Sequence, residues 1–324
     1  MYGTVARPTA LLGVALLALG LAACSGESLR SRVDAAIIRL DGAVARLGDD
    51  LDAGRVRNAE LIRQYADRIR DARPDLRDLV DVLAREGTRT GTMYRSLETR
   101  LDDVRKALPD TGARDEAYAG AVDEINSLAR AVVPAEFDRA LADPLNVLAD
   151  LSDGALPRVD AISATASQRA NAATDLGVGS QLVGNPNYGQ WRTDSSGASF
   201  WVWYGQFALM RDLIGGPRIG YGAWAGGRDY SYYHDYGRGN YTSPSARTRQ
   251  AQVESKARRK FTSEGRTFRS PYARQRQGAS SNVARAKFAS ASSRSTAGVT
   301  RTRAGTASVR GFGGGGYRGP SRGK

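Results

Sequence analysis

Apolar residues that recur three and four positions apart constrain the fold of this 324-residue chain more than any other feature of its sequence. The first series places one apolar seam along a helix, with Arg, Asp and Ala between its members: Val33, Ile37, Leu40, Val44 and Leu47. A helix with such a seam is stable only when the seam is buried. The pattern therefore predicts a mainly α fold in which several helices share one core.

The same spacing recurs along the first half of the chain. Its further members are Leu61, Ile62, Tyr65, Ile69, Leu76, Leu79, Val80, Leu83, Leu97, Leu101, Val104, Leu108, Tyr118, Val122, Ile125, Leu128, Val132, Phe137, Leu141, Leu145 and Leu148. Gly48, followed by Asp49 and Asp50, predicts a helix end and the N-cap of a second helix over residues 51–72. We expect about five or six helices over residues 28–170, in a helical bundle or, as the alternative, in coiled-coil hairpins.

The sequence contains no motif for metal binding or catalysis. Asp49, Asp50 and Asp52 lack the glycine and the distal glutamate of an EF-hand loop. The single histidine, His234, precedes Asp235, but adjacent residues of an extended chain point to opposite faces, so this carboxylate is badly placed to orient the imidazole. No hydrolase motif accompanies the pair. We therefore expect no enzyme activity, no catalytic residue, no metal and no cofactor.

Residues 171–242 are rich in Gly, Tyr and Trp, and turn-forming residues at their start predict an irregular region after the bundle. Within this region, residues 200–214 predict an apolar helix. Its aromatic side chains are candidates for packing on the bundle or for contact with a membrane interface, where Trp and Tyr are favoured. They are Phe200, Trp201, Trp203, Tyr204 and Phe207.

Tyrosines and glycines alternate through residues 218–241. This composition is typical of a structural loop folded over the helices. The alternative is that the aromatic rings stack on sugars or bases while neighbouring arginines pair with anions. The sequence leaves both interpretations open.

The positive charge of the chain is concentrated at its C-terminal end. Residues 243–324 contain 19 Lys and Arg against Glu254 and Glu264, a formal charge of +17, whereas the rest of the chain carries −4. A segment with so few aliphatic residues cannot offset an ordering entropy of about 1–2 kcal/mol per residue, which predicts a disordered basic tail. Its candidate anion-binding residues are Arg258, Arg259, Lys260, Arg274 and Arg276.

The last residues of this tail, GFGGGGYRGPSRGK, resemble the RGG-type tails of RNA-binding proteins. The resemblance implies nucleic-acid binding if the chain remains in the cytosol. In a cell envelope the available polyanions are instead acidic lipid, lipopolysaccharide and peptidoglycan. The basic tail would then bind one of these surfaces, with about 1 kcal/mol for each engaged Lys or Arg near an anionic membrane.

The only cysteine, Cys24, directly follows an apolar run from Ala10 to Ala23. A single cysteine cannot form a disulfide within the chain and is too few for a thiolate metal site. Arg7 and the amino terminus precede the run, which makes residues 1–23 typical of a signal peptide. The run is shorter than the about 20 residues that span a bilayer.

The sequence Leu21-Ala22-Ala23-Cys24 resembles the lipobox of bacterial lipoproteins. This resemblance implies cleavage before Cys24, lipid modification of its thiol and a short tether over residues 24–27. In such lipoproteins the anchor has three acyl chains, and each buried methylene contributes about 0.8 kcal/mol, so attachment is nearly permanent. Serine rather than aspartate after the cysteine implies the outer membrane, facing the periplasm, rather than the inner membrane.

The segments NPNYGQW and YYHDYG, which follow the predicted helices, also resemble bacterial lipoproteins that have the same order of parts and no assigned activity. These features predict a lipid-anchored protein of the bacterial cell envelope that acts as a non-catalytic adaptor or scaffold. Its expected partners are the membrane, an anionic lipid or cell-wall polymer, and an envelope protein. The alternatives are an RGG-like nucleic-acid-binding protein, if the signal is not used, and a cell-wall hydrolase, because paired carboxylates are common in the body.

Overall fold

The computed structural model describes four stretches of the chain: residues 28–110, 112–159, 176–213 and 218–272. Over these residues the protein is mainly helical, which confirms the predicted fold class at that level. Cys24, Arg274 and Arg276 lie outside the described residues, as do the predicted signal peptide and most of the predicted tail.

The first half of the protein is a set of helices, most of them joined by short turns, with a longer connection between residues 106 and 119. The helices are α1 (Leu29–Asp52), α2 (Arg57–Ala72), α3 (Arg77–Ala84), α4 (Thr92–Lys106), α5 (Ala119–Ala131), α6 (Pro134–Ala140) and α7 (Ala142–Leu151). Their apolar seams form one core, in which Leu40, Ile62 and Leu128 are almost fully buried. Among the described residues, no helix is both long and apolar enough to cross a membrane.

The first helix is longer than the sequence predicts. Ser28 caps α1, because its hydroxyl accepts a hydrogen bond from the Ser31 backbone N–H. The helix then continues through Gly48, which we expected to end it. A Cβ at Gly48 would lie 2.6 Å from the Tyr94 hydroxyl oxygen, and the Arg89 guanidinium is also in close contact. The glycine therefore allows two side chains to cross the helix and does not terminate it.

A β-hairpin replaces the first part of the predicted helix over residues 200–214. Strand β1 (Gly189–Thr193) pairs antiparallel with β2 (Ser199–Trp203), and Trp191 lies opposite Trp201. The turn between them is built by Asp194, whose carboxylate accepts hydrogen bonds from the backbone N–H groups of Ser196 and Ala198. This turn, together with the aromatic and β-branched residues that follow it, favours a strand over a helix.

After β2, the described part of the Gly/Tyr/Trp-rich region contains several short helical segments. They are α8 (Met210–Leu213), α9 (Tyr221–Gly227), a π-helical turn (Tyr233–Gly237) and α10 (Arg238–Tyr241). Asp143 of α7 fixes the start of the π-helical turn, since its carboxylate accepts hydrogen bonds from the backbone N–H groups of Tyr232 and Tyr233 at 2.8 and 2.9 Å.

The beginning of the predicted disordered tail is a helix, α11 (Pro244–Ser263), so the prediction of disorder from residue 243 is wrong for residues 244–272. Ser243 caps this helix by accepting a hydrogen bond from the Ala246 backbone N–H. Ala246, Gln250 and Val253 lie four and three positions apart and are buried, so they dock α11 on the protein. This seam was not recognised in the sequence because one of its three members, Gln250, is polar.

Helix α11 contributes Val253 to a second apolar cluster, which we term the aromatic cluster. Its members are Val183, Trp191, Trp201, Trp203, Ile219, Tyr221, Trp224, Val253, Phe268 and Tyr272. The rings of Trp191 and Trp201 have centroids 5.2 Å apart, and those of Trp191 and Trp224 are 5.1 Å apart. Because Phe268 and Tyr272 belong to it, the cluster holds the chain beyond α11 as well.

Candidate functional site

A cleft of about 590 Å³ lies between α4 and the beginning of α11, and we term it the polar cleft. Helix α4 lines it with Thr92, Arg95, Ser96, Thr99, Arg100 and Asp103. The opposite wall consists of Ser243, Ser245, Ala246 and Arg249. Further lining residues come from the connecting segments: Thr90, Pro186, Asn187, Tyr204, Gln206 and Tyr241.

The wall formed by α4 follows from the helical period. Each of residues 92, 95, 96, 99, 100 and 103 has another member of the set three or four positions away, so together they lie along one face of the helix. The N-terminus of α4 is fixed by Glu86, whose carboxylate accepts hydrogen bonds from the backbone N–H groups of Thr92 and Met93 at 2.9 and 3.2 Å. Burial raises the pKa of Glu86. The buried carboxylate thus holds the polar face of α4 in a defined position.

Arg100 is the buried cation of the polar cleft. Its Nε donates to Glu124 of α5 at 2.6 Å, and its Nη1 donates to the Asn240 carbonyl oxygen at 2.7 Å. Only 3 % of the Arg100 side chain is exposed. These two bonds attach α10 to α4 and α5 and fix the guanidinium in one orientation.

Two buried donors of the polar cleft have no hydrogen-bond partner among the described residues. They are Nη2 of Arg100 and Nδ2 of Asn187, and the two residues are 3 % and 7 % exposed. An unsatisfied buried donor costs about 1–3 kcal/mol. Both atoms belong to residues that line the polar cleft, although each atom is itself shielded from solvent. Unsatisfied donors at this place favour an acceptor in the cleft, such as a carboxylate, phosphate, carbonyl or hydroxyl oxygen, that reaches them when neighbouring side chains shift.

The remaining charges of the cleft are predominantly positive. Arg95 and Arg249 are exposed, and neither forms an ion pair with a carboxylate in the described part of the chain. Asp103 is the one carboxylate among the described lining residues. The N-terminus of the 20-residue helix α11 begins at the opposite wall and adds a partial positive charge. The arrangement favours an anionic ligand.

Hydroxyl groups surround these cations. They belong to Thr90, Thr92, Ser96, Thr99, Tyr204, Ser243 and Ser245. A hydroxyl can both donate and accept a hydrogen bond, so this lining suits a ligand that has its own hydroxyl or amide groups. The combined chemistry is therefore that of a binding site for an anionic, hydroxyl-bearing molecule.

The five aromatic residues of the predicted membrane or packing contact have different positions. Trp201 and Phe207 are buried, so these two side chains pack inside the protein. Trp203 is half-buried against both clusters, and Phe200 lies under the Arg218 guanidinium at 4.6 Å. Tyr204 is 39 % exposed and lines the polar cleft.

The predicted anion-binding residues that are described lie on α11, outside the polar cleft. Arg258, Arg259 and Lys260 are exposed. Arg258 is the least available of the three, since it forms an ion pair with Glu254 at 3.2 Å and lies over the Phe268 ring. Arg274 and Arg276 lie outside the described residues, so the structure does not place them relative to these three.

His234 and Asp235 do not interact as a catalytic pair. The Nε2 atom of His234 lies 2.7 Å from the Val183 carbonyl oxygen, which can only accept, so the proton is on Nε2. Asp235 instead forms a buried ion pair with Arg228. Burial, with a smaller contribution from Arg228, lowers the pKa of His234 well below its ordinary value of 6.5. The imidazole is therefore neutral, and it holds the backbone at Val183 through its hydrogen bond.

The polar cleft was not predicted from the sequence. The only signal was the row of Thr, Ser and Arg along α4, opposite the apolar seam, and any exposed helix face has a similar composition. The partners that make Arg100 a buried cation, Glu124 and Asn240, are distant in sequence. Only the tertiary structure brings these groups together.

Comparisons with protein-family models, with curated proteins and with solved structures find no match to this chain. In the described part of the chain, no group of three or more His, Cys, Asp or Glu side chains is arranged to hold a metal ion.

Proposed function

We propose that this protein is a non-catalytic adaptor of the bacterial cell envelope, anchored by lipid at Cys24, and that it binds peptidoglycan in the polar cleft. One observation carries this proposal: the unpartnered buried donors of Arg100 and Asn187 line the same cleft as the unpaired cations of Arg95 and Arg249. Peptidoglycan supplies what these groups lack, because its peptide stems carry carboxylates and its sugars carry hydroxyls and amides.

The shape of the site favours a polymer strand over a lipid surface. A bilayer presents its headgroups in a plane, whereas the donors of the polar cleft lie between two helices. The basic surface also continues along α11, where Arg249, Lys256 and Lys260 are seven and four positions apart and share one side of the helix. At 1.5 Å per residue these cations extend over about 16 Å, which suits an extended anionic strand.

The proposal is tested by the binding preference of the full chain. It is incubated with purified peptidoglycan sacculi, with vesicles containing acidic lipid and with single-stranded RNA, over a series of salt concentrations. We expect binding to sacculi that weakens with salt and exceeds binding to the other two probes. Stronger binding to vesicles or RNA would contradict the choice of peptidoglycan, and release of soluble fragments from the sacculi would contradict a non-catalytic role.

The anchor has its own test, because it is independent of the cleft. The intact mass of the membrane-fraction protein is measured for the wild type and for Cys24→Ala. We expect a species that begins at Cys24 and carries acyl mass, absent from the variant. An uncleaved and unmodified wild-type chain would contradict the envelope location and would favour nucleic acid as the partner.

A further inference from the structure

A second recess, which we term the tyrosine recess, has a volume of about 470 Å³. It is lined by Glu136 and Arg139 of α6 and by Tyr230, Tyr232 and Tyr236 of the segment that precedes α10. The volume falls within the range of roughly 300–1,000 Å³ that is typical of small-molecule sites. None of these residues lines the polar cleft.

Two anchors hold the tyrosines of this recess in place. Asp143 fixes the backbone at Tyr232, as described above. The hydroxyl of Tyr232 then donates to the Glu136 carboxylate at 2.6 Å. Burial and the neighbouring carboxylate both raise the pKa of Tyr232, so its hydroxyl remains a donor. This wall of the recess is therefore preorganised.

Tyr236 provides an exposed ring at the same place. Its side chain is 52 % exposed, and its ring centroid is 5.9 Å from that of Tyr232, with the two planes inclined by 32°. Large aromatic residues on rigid, exposed positions are enriched at recognition surfaces, because they offer contact area at a low cost in conformational entropy.

Polar groups border the aromatic wall. The Glu136 carboxylate accepts from Arg139 at 2.9 Å as well as from Tyr232. Each carboxylate oxygen retains capacity for a further hydrogen bond, and the guanidinium has N–H groups left to donate. The recess thus combines aromatic rings with paired acceptors and donors beside them.

We propose that the tyrosine recess is a binding site for a pyranose ring of a glycan. A pyranose has an apolar C–H face that packs on an aromatic ring, and its equatorial edge presents neighbouring hydroxyls to a carboxylate and a guanidinium. A simple cation fits less well, because Arg139 would repel it and already neutralises Glu136. A free anion fits less well too, because it would meet the Glu136 carboxylate.

The site is tested with an uncharged oligosaccharide, the tetramer of N-acetylglucosamine, titrated into the full chain by calorimetry. The tetramer carries no charge, so at about 0.5 M salt it does not bind through ion pairs, and the variants described next assign its binding to the recess or to the polar cleft. We expect saturable binding that is weakened at least about tenfold by Tyr236→Ala. Tyr236→Phe, which retains the ring, and Ile38→Ala, on an exposed position of α1, stay within about threefold of the wild type.

A second variant tests the recess independently, in case Tyr236→Ala does not fold. Arg139→Gln changes a side chain that is 59 % exposed, so the fold is retained, and we expect weaker binding of the tetramer. Absence of binding by the wild type, or equal binding by Tyr236→Ala, would overturn the proposal. So would a single-stranded oligonucleotide that binds through Tyr236 when the tetramer does not. A variant that lacks Arg95 and Arg249 should still bind the tetramer. Such binding would show that the tyrosine recess works independently of the polar cleft, so failure of one proposal can be told apart from failure of the other.

Discussion

The guanidinium of Arg100 and the carboxylate of Glu124 form an ion pair inside the protein, with 2.6 Å between Nε and Oε1. Both side chains are nearly without solvent exposure, at 3 % and 6 %. This pair joins α4 to α5 and at the same time leaves one buried Arg100 donor, beside the polar cleft, without a partner among the described residues. It therefore couples the stability of the helical core to the geometry of the site.

Replacement of Arg100 by alanine is expected to be strongly destabilising. The variant leaves the Glu124 carboxylate buried without its principal partner, which costs about 3–5 kcal/mol in free energy of unfolding. Urea denaturation at neutral pH measures this loss. The matched control is Arg105→Ala, whose ion pairs with Asp41 and Asp102 are exposed and contribute at most about 1 kcal/mol. Equal losses for the two variants would contradict the structural role of the buried pair.

The extent of the folded domain is tested by two truncations. Because the composition of residues 273–324 predicts disorder, ending the chain after Tyr272 should leave the unfolding free energy nearly unchanged. Ending it after Thr242 removes Gln250, whose Nε2 donates to the Gly184 carbonyl and to the Tyr233 hydroxyl, and it also removes Val253 from the aromatic cluster. We expect a loss of at least about 3 kcal/mol from the lost packing and the unsatisfied groups. Equal stability of the two truncations would show that α11 is dispensable.

The helical half of the fold was largely predictable, because each seam repeats a local period. Val33, Leu40 and Leu128 occupy the core that their spacing predicts. The end of α1 was not predictable from the sequence. Gly48 leaves room for the Tyr94 side chain of another helix, and it does not end α1. Information of that kind is not contained in the local sequence.

The second half of the fold and the polar cleft were less predictable, because distant residues determine them. The aromatic run after residue 199 becomes a strand when it pairs with Trp191 and its neighbours. Helix α11 is polar by composition and is stable through its contacts with the aromatic cluster. From the sequence alone Arg100 would be placed on the surface. In the structure it is buried and forms an ion pair with Glu124.

Asp143 should be essential for the order of the tyrosine-rich segment. Its carboxylate accepts from the Ser231 hydroxyl at 2.8 Å and from the backbone N–H groups of Tyr232 and Tyr233. Asp143→Ala leaves these buried donors without an acceptor, so we expect a loss of at least about 2 kcal/mol in unfolding free energy. Asp123→Ala, at an exposed position of α5, is the control and should change it by less than about 0.5 kcal/mol. A similar small change for both variants would refute this assignment.

His234 should make the protein less stable in mild acid. Its folded-state pKa lies well below 6.5, so the unfolded chain takes up a proton as the pH falls through about 6.5 whereas the folded protein does not. Stability contributed by the neutral imidazole is therefore present above this pH and is lost below it. Relative to His234→Gln, the wild type should lose about 2 kcal/mol between pH 7 and pH 5, and the slope should approach about 1.4 kcal/mol per pH unit at the acid end. Parallel stability curves for the two proteins between pH 5 and pH 7 would contradict the shift.

The central claim is that the polar cleft, and not positive charge in general, binds the cell-wall polymer. Co-sedimentation with peptidoglycan sacculi compares Arg95→Gln/Arg249→Gln with Arg39→Gln/Arg68→Gln, which removes the same charge from exposed positions of α1 and α2. At about 0.15 M salt we expect the cleft variant to bind at least about tenfold more weakly and the control variant to bind like the wild type. Equal binding by both variants, whether retained or weakened, would contradict the assignment of the cleft.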